Sequence, residues 1–182
     1  MLKKYNTLID LFSDQKNKPG RINFIDVNSN EESITFAEFW RNATFCLGHL
    51  QSKGIKPGEE LVICTKSNMK FLTTFWAAIL GGIIPVPLAV GISNEHRNKI
   101  LKIITSLKNP NLVTDAKVKE RLKIFIDTDE PNFDNKYIID NAIIDYSHTA
   151  KGDLFPAKVD DIAFVQYSSG STSDPKGVVL TH

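Results

Sequence analysis

The sequence predicts an α/β fold, layered, with a largely parallel sheet flanked by helices. Three observations carry that expectation. Strand-type and helix-type stretches alternate through the middle of the chain, which right-handed crossovers assemble into layers. The stretch "ELVICT" (Glu60 to Thr65) holds the kind of continuous apolar run that parallel sheets bury on both faces. Helix-start residues (Thr35, Ser67 or Asn68, Asp115) stand directly before stretches of helical period.

Taken in order, Tyr5 to about Lys16 reads as a first helix, with Leu8, Leu11 and Phe12 on one side. "RINFIDV" (Arg21 to Val27) reads as a strand and "NSNEE" as the turn after it. Thr35 followed by Glu38 forms a capping box, in which hydroxyl and carboxylate satisfy backbone donors at a helix start. That helix runs to about Ser52, with Lys53-Gly54 as its stop. The strand Glu60–Thr65 follows, and then a helix that ends at Gly81-Gly82.

"IIPVPLAV" is extended, and its prolines place it at a strand end or sheet edge, because proline cannot donate to a ladder. Residues 94–108 form an amphipathic helix with a stripe of Ile100, Leu101, Ile103, Ile104 and Leu107. "NLVT" is a short strand, Asp115 caps a helix reaching about Phe125, and "KYIID" is a further strand. Ser147 to Asp161 is a long polar connection, and "IAFVQY" (Ile162 to Tyr167) is the last strand.

The bulk properties exclude several classes. A chain of 182 residues suits one domain with a proper core. A net charge of +1 leaves no electrostatic footprint for nucleic acid or an anionic membrane. The one basic run, "AKVKERLK", places Val118, Leu122 and Phe125 on one helical face and its lysines on the other, which is a solvated helix face. Cys46 and Cys64 make no disulfide framework. Cys46 and His49 lie one helical turn apart, but no second pair completes the usual set of about four zinc ligands.

The N-terminus lacks a signal-peptide pattern, since Asp10 and Asp14 interrupt any apolar run, so a reduced, cytoplasmic setting is expected. Phe71 to Ile92 carries no charge, but Gly81-Gly82, Pro85 and Pro87 break it. Proline costs about 3 kcal/mol inside a helix, so a buried helix followed by a strand is expected there and no membrane span.

The chemically suggestive segment is "QYSSGSTSDPKGVVLTH", from Gln166 to His182. Ser168, Ser169, Ser171, Thr172 and Ser173 supply hydroxyls, while Gly170 and Gly177 let the backbone come close to a ligand and present its N–H groups. Lys176 adds a positive charge without fixed geometry, which suits a polyphosphate. Pro175 stiffens the turn and holds Asp174 toward an extended conformation. The loop follows an apolar strand, the position where ligands collect in open α/β sheets. Together these residues describe an anion cradle.

Rival motifs fit poorly. In the Gly-x-x-x-x-Gly-Lys-Ser/Thr phosphate loop lysine follows its glycine, whereas Lys176 precedes Gly177 and no hydroxyl follows for Mg2+. Ser173 to Lys176 matches Ser-x-x-Lys only formally, because Pro175 disfavours the helix that motif requires. A flexible Ser/Gly linker is the bland alternative. It has no need of an apolar strand before the loop or Pro-Lys-Gly-Val-Val within it.

"YSSGSTSDPKGVVLTH" resembles the phosphate-loop signature of the adenylate-forming superfamily: acyl-CoA synthetases, peptide-synthetase adenylation domains and luciferases. "ITFAEF" is similar to that family's early Leu-Thr-Tyr-x-Glu-Leu element, and "AAILGGIIPVPLAV" resembles its helix–Gly–strand element. "VQYSSGSTSDPKGV" and "GGIIPVPL" look closest to the fatty acyl-AMP ligase branch.

The resemblance implies that ATP, with Mg2+, and a carboxylic acid, of fatty type, form an acyl-adenylate. The acyl group then passes to the thiol of an acyl carrier protein or of coenzyme A. It implies that Ser169 to Gly177 hold the β- and γ-phosphates, with hydroxyls from Ser171 and Thr172 and charge from Lys176. Ser173 departs from the glycine of many members, which disfavours a plain acyl-CoA synthetase and mildly favours the acyl-AMP ligase branch.

Members of the family continue well past this motif, and their catalytic lysine lies downstream. The resemblance therefore implies that residues 1–182 are the N-terminal subdomain of an adenylation domain. They are expected to lack adenylation activity alone and to self-associate through apolar surface. A stand-alone phosphate-binding module, or an interaction domain that keeps only the fold, are the alternatives. His182 reads equally as a site residue or a satisfied one, and His96 and His148 carry no signal.

Overall fold

The computed structural model describes residues 4–25, 28–91, 93–120, 138–140, 150–167 and 175–182. Helix α1 (Leu8–Gln15) starts later than the Tyr5 expected, because Thr7 and Asp10 form a capping box. The Thr7 hydroxyl accepts the Asp10 amide at 3.0 Å and the Asp10 carboxylate accepts the Thr7 amide at 3.1 Å.

Strands β1 (Arg21–Ile25) and β2 (Glu31–Thr35) form an antiparallel hairpin, Arg21 opposite Thr35. Glu31 and Glu32, expected in the turn, are the first residues of β2. On β2 only Ile34 is buried, so the strand shows little apolar alternation and is held by backbone pairing. Helix α2 (Phe36–Ser52) begins at the expected capping box of Thr35 and Glu38. The hydrogen bond from the Thr35 hydroxyl, 2.7 Å long, holds the Glu38 carboxyl below its ordinary range.

The main sheet is parallel throughout its order β4-β3-β5-β6, with β3 Glu60–Cys64, β4 Ile84–Pro87, β5 Pro110–Thr114 and β6 Ile138–Asp140. Chain order thus runs outward from β3 to one neighbour and then crosses to the other, the doubly wound arrangement with a switch point between β3 and β5. Helix α3 (Asn68–Leu80), capped by Ser67, and α4 (Asn94–Ser106), capped by Ser93, supply the crossovers. Residues 71–91 are accordingly divided between α3, β4 and their flanks. No helix of the described residues is long and apolar enough to cross a membrane.

The period-two alternation of β3 feeds two cores. Leu61 and Ile63 join α1, α2 and α3 around Phe12, Leu47, Leu50 and Leu80. Val62 and Cys64 join Val86, Leu112 and the α4 stripe of Ile100, Ile103 and Ile104 on the opposite face. Each such side chain, fully buried, contributes about 1.5–3 kcal/mol. Residues 116–120 are helical, with Val118 against the second core; Leu122, Phe125 and His148 lie outside the described residues.

The connection through residues 150–161 is polar in composition but closely fitted. Gly152 donates to the Thr44 carbonyl at 2.9 Å and Phe155 to the Leu80 carbonyl at 2.8 Å. Gln51 and the Asp153 backbone bond in both directions, each at 2.9 Å. This strap delivers the chain to β7 (Ile162–Tyr167), which pairs antiparallel with β8 (Gly177–Thr181) in a separate hairpin. Strand β8 lies beyond β7, the strand expected to be last; all of its residues are exposed, so burial leaves no pattern in the sequence.

Candidate functional site

The β7–β8 hairpin lies beside β4 without joining its sheet, and the prolines give the reason. Ile84 and Leu88 donate to the β3 side, at 2.9 Å to the Glu59 carbonyl and 3.0 Å to the Ile63 carbonyl. The alternate residues, Pro85 and Pro87, face away and have no N–H, so the outer edge of β4 offers no donor at those positions. Strand β7 packs there through side chains. Phe164 meets Phe75 of α3 edge-on at 5.5 Å, while Val165 and Tyr167 pack against the α4 core.

That packing leaves a cleft of about 570 Å³ at the carboxyl ends of β3, β4 and β7. Thr65 and Lys66 line it after β3, Leu88 to Val90 after β4, with Phe71 from α3 and Gln166 from β7. One strand over, at the switch point, the Asp115 carboxylate accepts the Lys66 amide at 2.6 Å and ties the end of β3 to the end of β5. The cleft therefore opens on the β4 side, under the hairpin. Its rim at Ala89 is fixed by His96, whose Nε2 lies 2.9 Å from the Ala89 carbonyl, so His96 has a structural role that the sequence did not signal.

Of the residues expected to hold phosphate, Lys176 and Gly177 are described. Lys176 is exposed just before β8. Gly177 pairs with Tyr167, and a Cβ on it would press on Val165 and Tyr167 at 3.0 and 3.1 Å. Its lack of a side chain thus serves the closeness of the hairpin. Ser168, Ser169, Gly170, Ser171, Thr172, Ser173 and Asp174 lie outside the described residues; they connect β7, at the cleft, to Lys176.

Thr65 was not singled out from sequence. It is 8% exposed and its hydroxyl has no hydrogen-bond partner among the described residues, although it lines the cleft. Leaving such a group unpaired costs about 1–3 kcal/mol, which a ligand or water would relieve. Its only sequence signal is its place just after a buried strand.

Thiol and imidazole chemistry has little footing here. Burial pushes both the Cys46 and Cys64 thiols up to about 12, which keeps them protonated and unreactive. Burial, and then the Lys53 charge, push His49 down. Among the described residues no group of three or more His, Cys, Asp or Glu could hold a metal ion.

His182 is held at the far end of the hairpin from Lys176. Its Nδ1 accepts the Leu8 amide at 3.2 Å, and its own amide donates to the Asp161 carbonyl at 3.2 Å. Burial lowers its basicity, while Asp161 and Asp10 oppose that shift.

Known proteins share this fold. The chain is 27% identical over 165 residues to the long-chain-fatty-acid–AMP ligase FadD32 of Mycolicibacterium smegmatis, an alignment covering 87% of this chain and 26% of the relative. McyG A-PCP complexed with phenylalanyl-adenylate superposes with a TM-score of 0.82 at 26% identity, over 100% of this chain and 29% of that one. The fatty acyl-adenylate ligase from L. pneumophila, in complex with acyl adenylate and pyrophosphate, gives 0.79 at 25% identity, over 97% and 30%. The chain thus spans about a quarter to a third of the length of these proteins. The AMP-binding enzyme family model matches residues 11–182, and the chain belongs to that family.

Proposed function

We propose that residues 1–182 are the N-terminal subdomain of an adenylation domain and form the phosphate-holding part of an ATP-dependent ligase. The reaction is activation of a carboxylic acid, of fatty type, to an acyl-adenylate, followed by transfer to the thiol of an acyl carrier protein or coenzyme A. The observation that carries this reading is the cleft at the carboxyl ends of β3, β4 and β7: Gln166 at the end of β7 lines it and the exposed Lys176 stands directly before β8. In the sequence the Ser/Gly/Thr-rich stretch lies between these two residues. The fatty substrate rests on the likeness to a long-chain-fatty-acid–AMP ligase and a fatty acyl-adenylate ligase.

In this reading Ser169 to Gly177 surround the β- and γ-phosphates. Ser171 and Thr172 donate hydroxyls, the backbone amides near Gly170 face the anion, and Lys176 offsets its charge. Mg2+ would arrive with the incoming nucleotide and offset phosphate charge. The thiol that accepts the acyl group belongs to the partner, since both cysteines of this chain are buried and protonated.

Titrating ATP into the chain tests the reading. Saturable binding is expected, weakened at least about tenfold in Lys176→Ala, the equivalent of losing one charge-assisted phosphate contact. Unchanged affinity in Lys176→Ala would contradict it. The same chain is expected to form no acyl-adenylate by itself, and ATP–pyrophosphate exchange above background would refute that part alone.

A further inference from the structure

Helix α1 and the β7–β8 hairpin lie at opposite ends of the sequence, and one side chain joins them. The N-terminus of α1 has several donors to satisfy. The Thr7 amide bonds the Asp10 carboxylate and the Asp10 amide bonds the Thr7 hydroxyl. The Leu8 amide goes to His182 Nδ1 at 3.2 Å. His182 completes this cap from the end of β8, while its own amide closes the hairpin onto the Asp161 carbonyl at 3.2 Å. Asp161 is fixed in turn, its carboxylate accepting the Lys158 amide at 2.7 Å.

We propose that His182 is a positioning residue and a pH-sensitive latch, whose neutral imidazole ties the β7–β8 hairpin to α1 and whose protonation releases the tie. An imidazole accepts through Nδ1 only while the proton sits on Nε2. Once Nδ1 is protonated, two donors face each other at 3.2 Å, and the imidazolium meets the positive end of the α1 dipole. The charged groups facing it are Asp10 from α1 and Asp161 from the turn before β7, and both soften that repulsion. Burial outweighs them and holds the ring below its ordinary value of 6.5. A group depressed in the latched state protonates more readily when released, so the latch is complete above 6.5 and weakens as pH falls below it.

Amide hydrogen exchange on the whole chain, followed residue by residue by NMR and corrected for intrinsic rates, reads this directly. Leu8 is expected to be protected at pH 8 and to lose protection by roughly tenfold as His182 titrates, with the Gly177 amide shift moving over the same range. In His182→Asn, whose carboxamide oxygen replaces Nδ1 and does not titrate, Leu8 stays protected with no pH step. In His182→Ala, Leu8 is unprotected at every pH while amides of Leu61 to Ile63 keep theirs. A pH step that persists in His182→Asn, or Leu8 protection that ignores His182 titration in the wild-type chain, overturns the proposal even if His182→Ala does not fold. The readout is a backbone amide of α1, so failure here leaves the ATP reading intact, and loss of ATP binding leaves the latch intact.

Discussion

Gly48 shows how closely a single residue can hold the strap that delivers the chain to the site. A Cβ there would overlap the Ala150 carbonyl, a backbone group that cannot swing away as a side-chain tip would. Gly48→Ala is expected to cost about 1–3 kcal/mol, read as a lower urea midpoint with an unchanged slope. Wild-type stability in that variant would mean the strap is not held against α2. Neither this role nor that of Thr65 could be read from sequence, because each depends on a neighbour distant along the chain. Lys176 and Gly177 were legible as residues to watch. The packing reason for Gly177, the nearness of Val165 and Tyr167, was visible only in three dimensions.

Local chemistry explains which elements were legible. The Thr35–Glu38 box sits where its sequence pattern placed it, and of the two cap residues expected for α3, Ser67 and Asn68, Ser67 is the cap, because a cap is a contact between residues a few positions apart. Thr35→Ala is expected to cost about 1 kcal/mol, measured by chemical denaturation, and no loss would mean that tertiary packing alone fixes the start of α2. Strands β3 and β4 were legible from burial on both faces and from proline. Strands β2 and β8 were not, since both are largely exposed and are held by backbone pairing that leaves little hydrophobic signature. Pro85 and Pro87 carry more than an edge position: they remove the donors that would otherwise let another strand extend the sheet where the hairpin and cleft now lie.

For the whole molecule, two cores on opposite faces of one parallel sheet make a platform, and the hairpin stands at its margin with apolar side chains exposed on both faces of β8. Val178 and Val179 are 55% and 56% exposed, with Ile162 and Leu180 beside them. Apolar side chains grouped in this way favour association. The chain is expected to self-associate in light scattering across concentrations, and Val178→Lys with Leu180→Lys to reduce it; a concentration-independent monomer would contradict this.

The segment between β7 and β8 is proposed to hold the phosphates of ATP. The most direct measurement is an amide chemical-shift map of the chain on addition of ATP. The perturbations are expected to cluster from Gln166 to Gly177 and on the cleft residues Thr65 and Lys66, and to need at least about tenfold more ATP in Lys176→Ala. Perturbations confined to other surfaces, or a map unchanged by the Lys176 substitution, would contradict it.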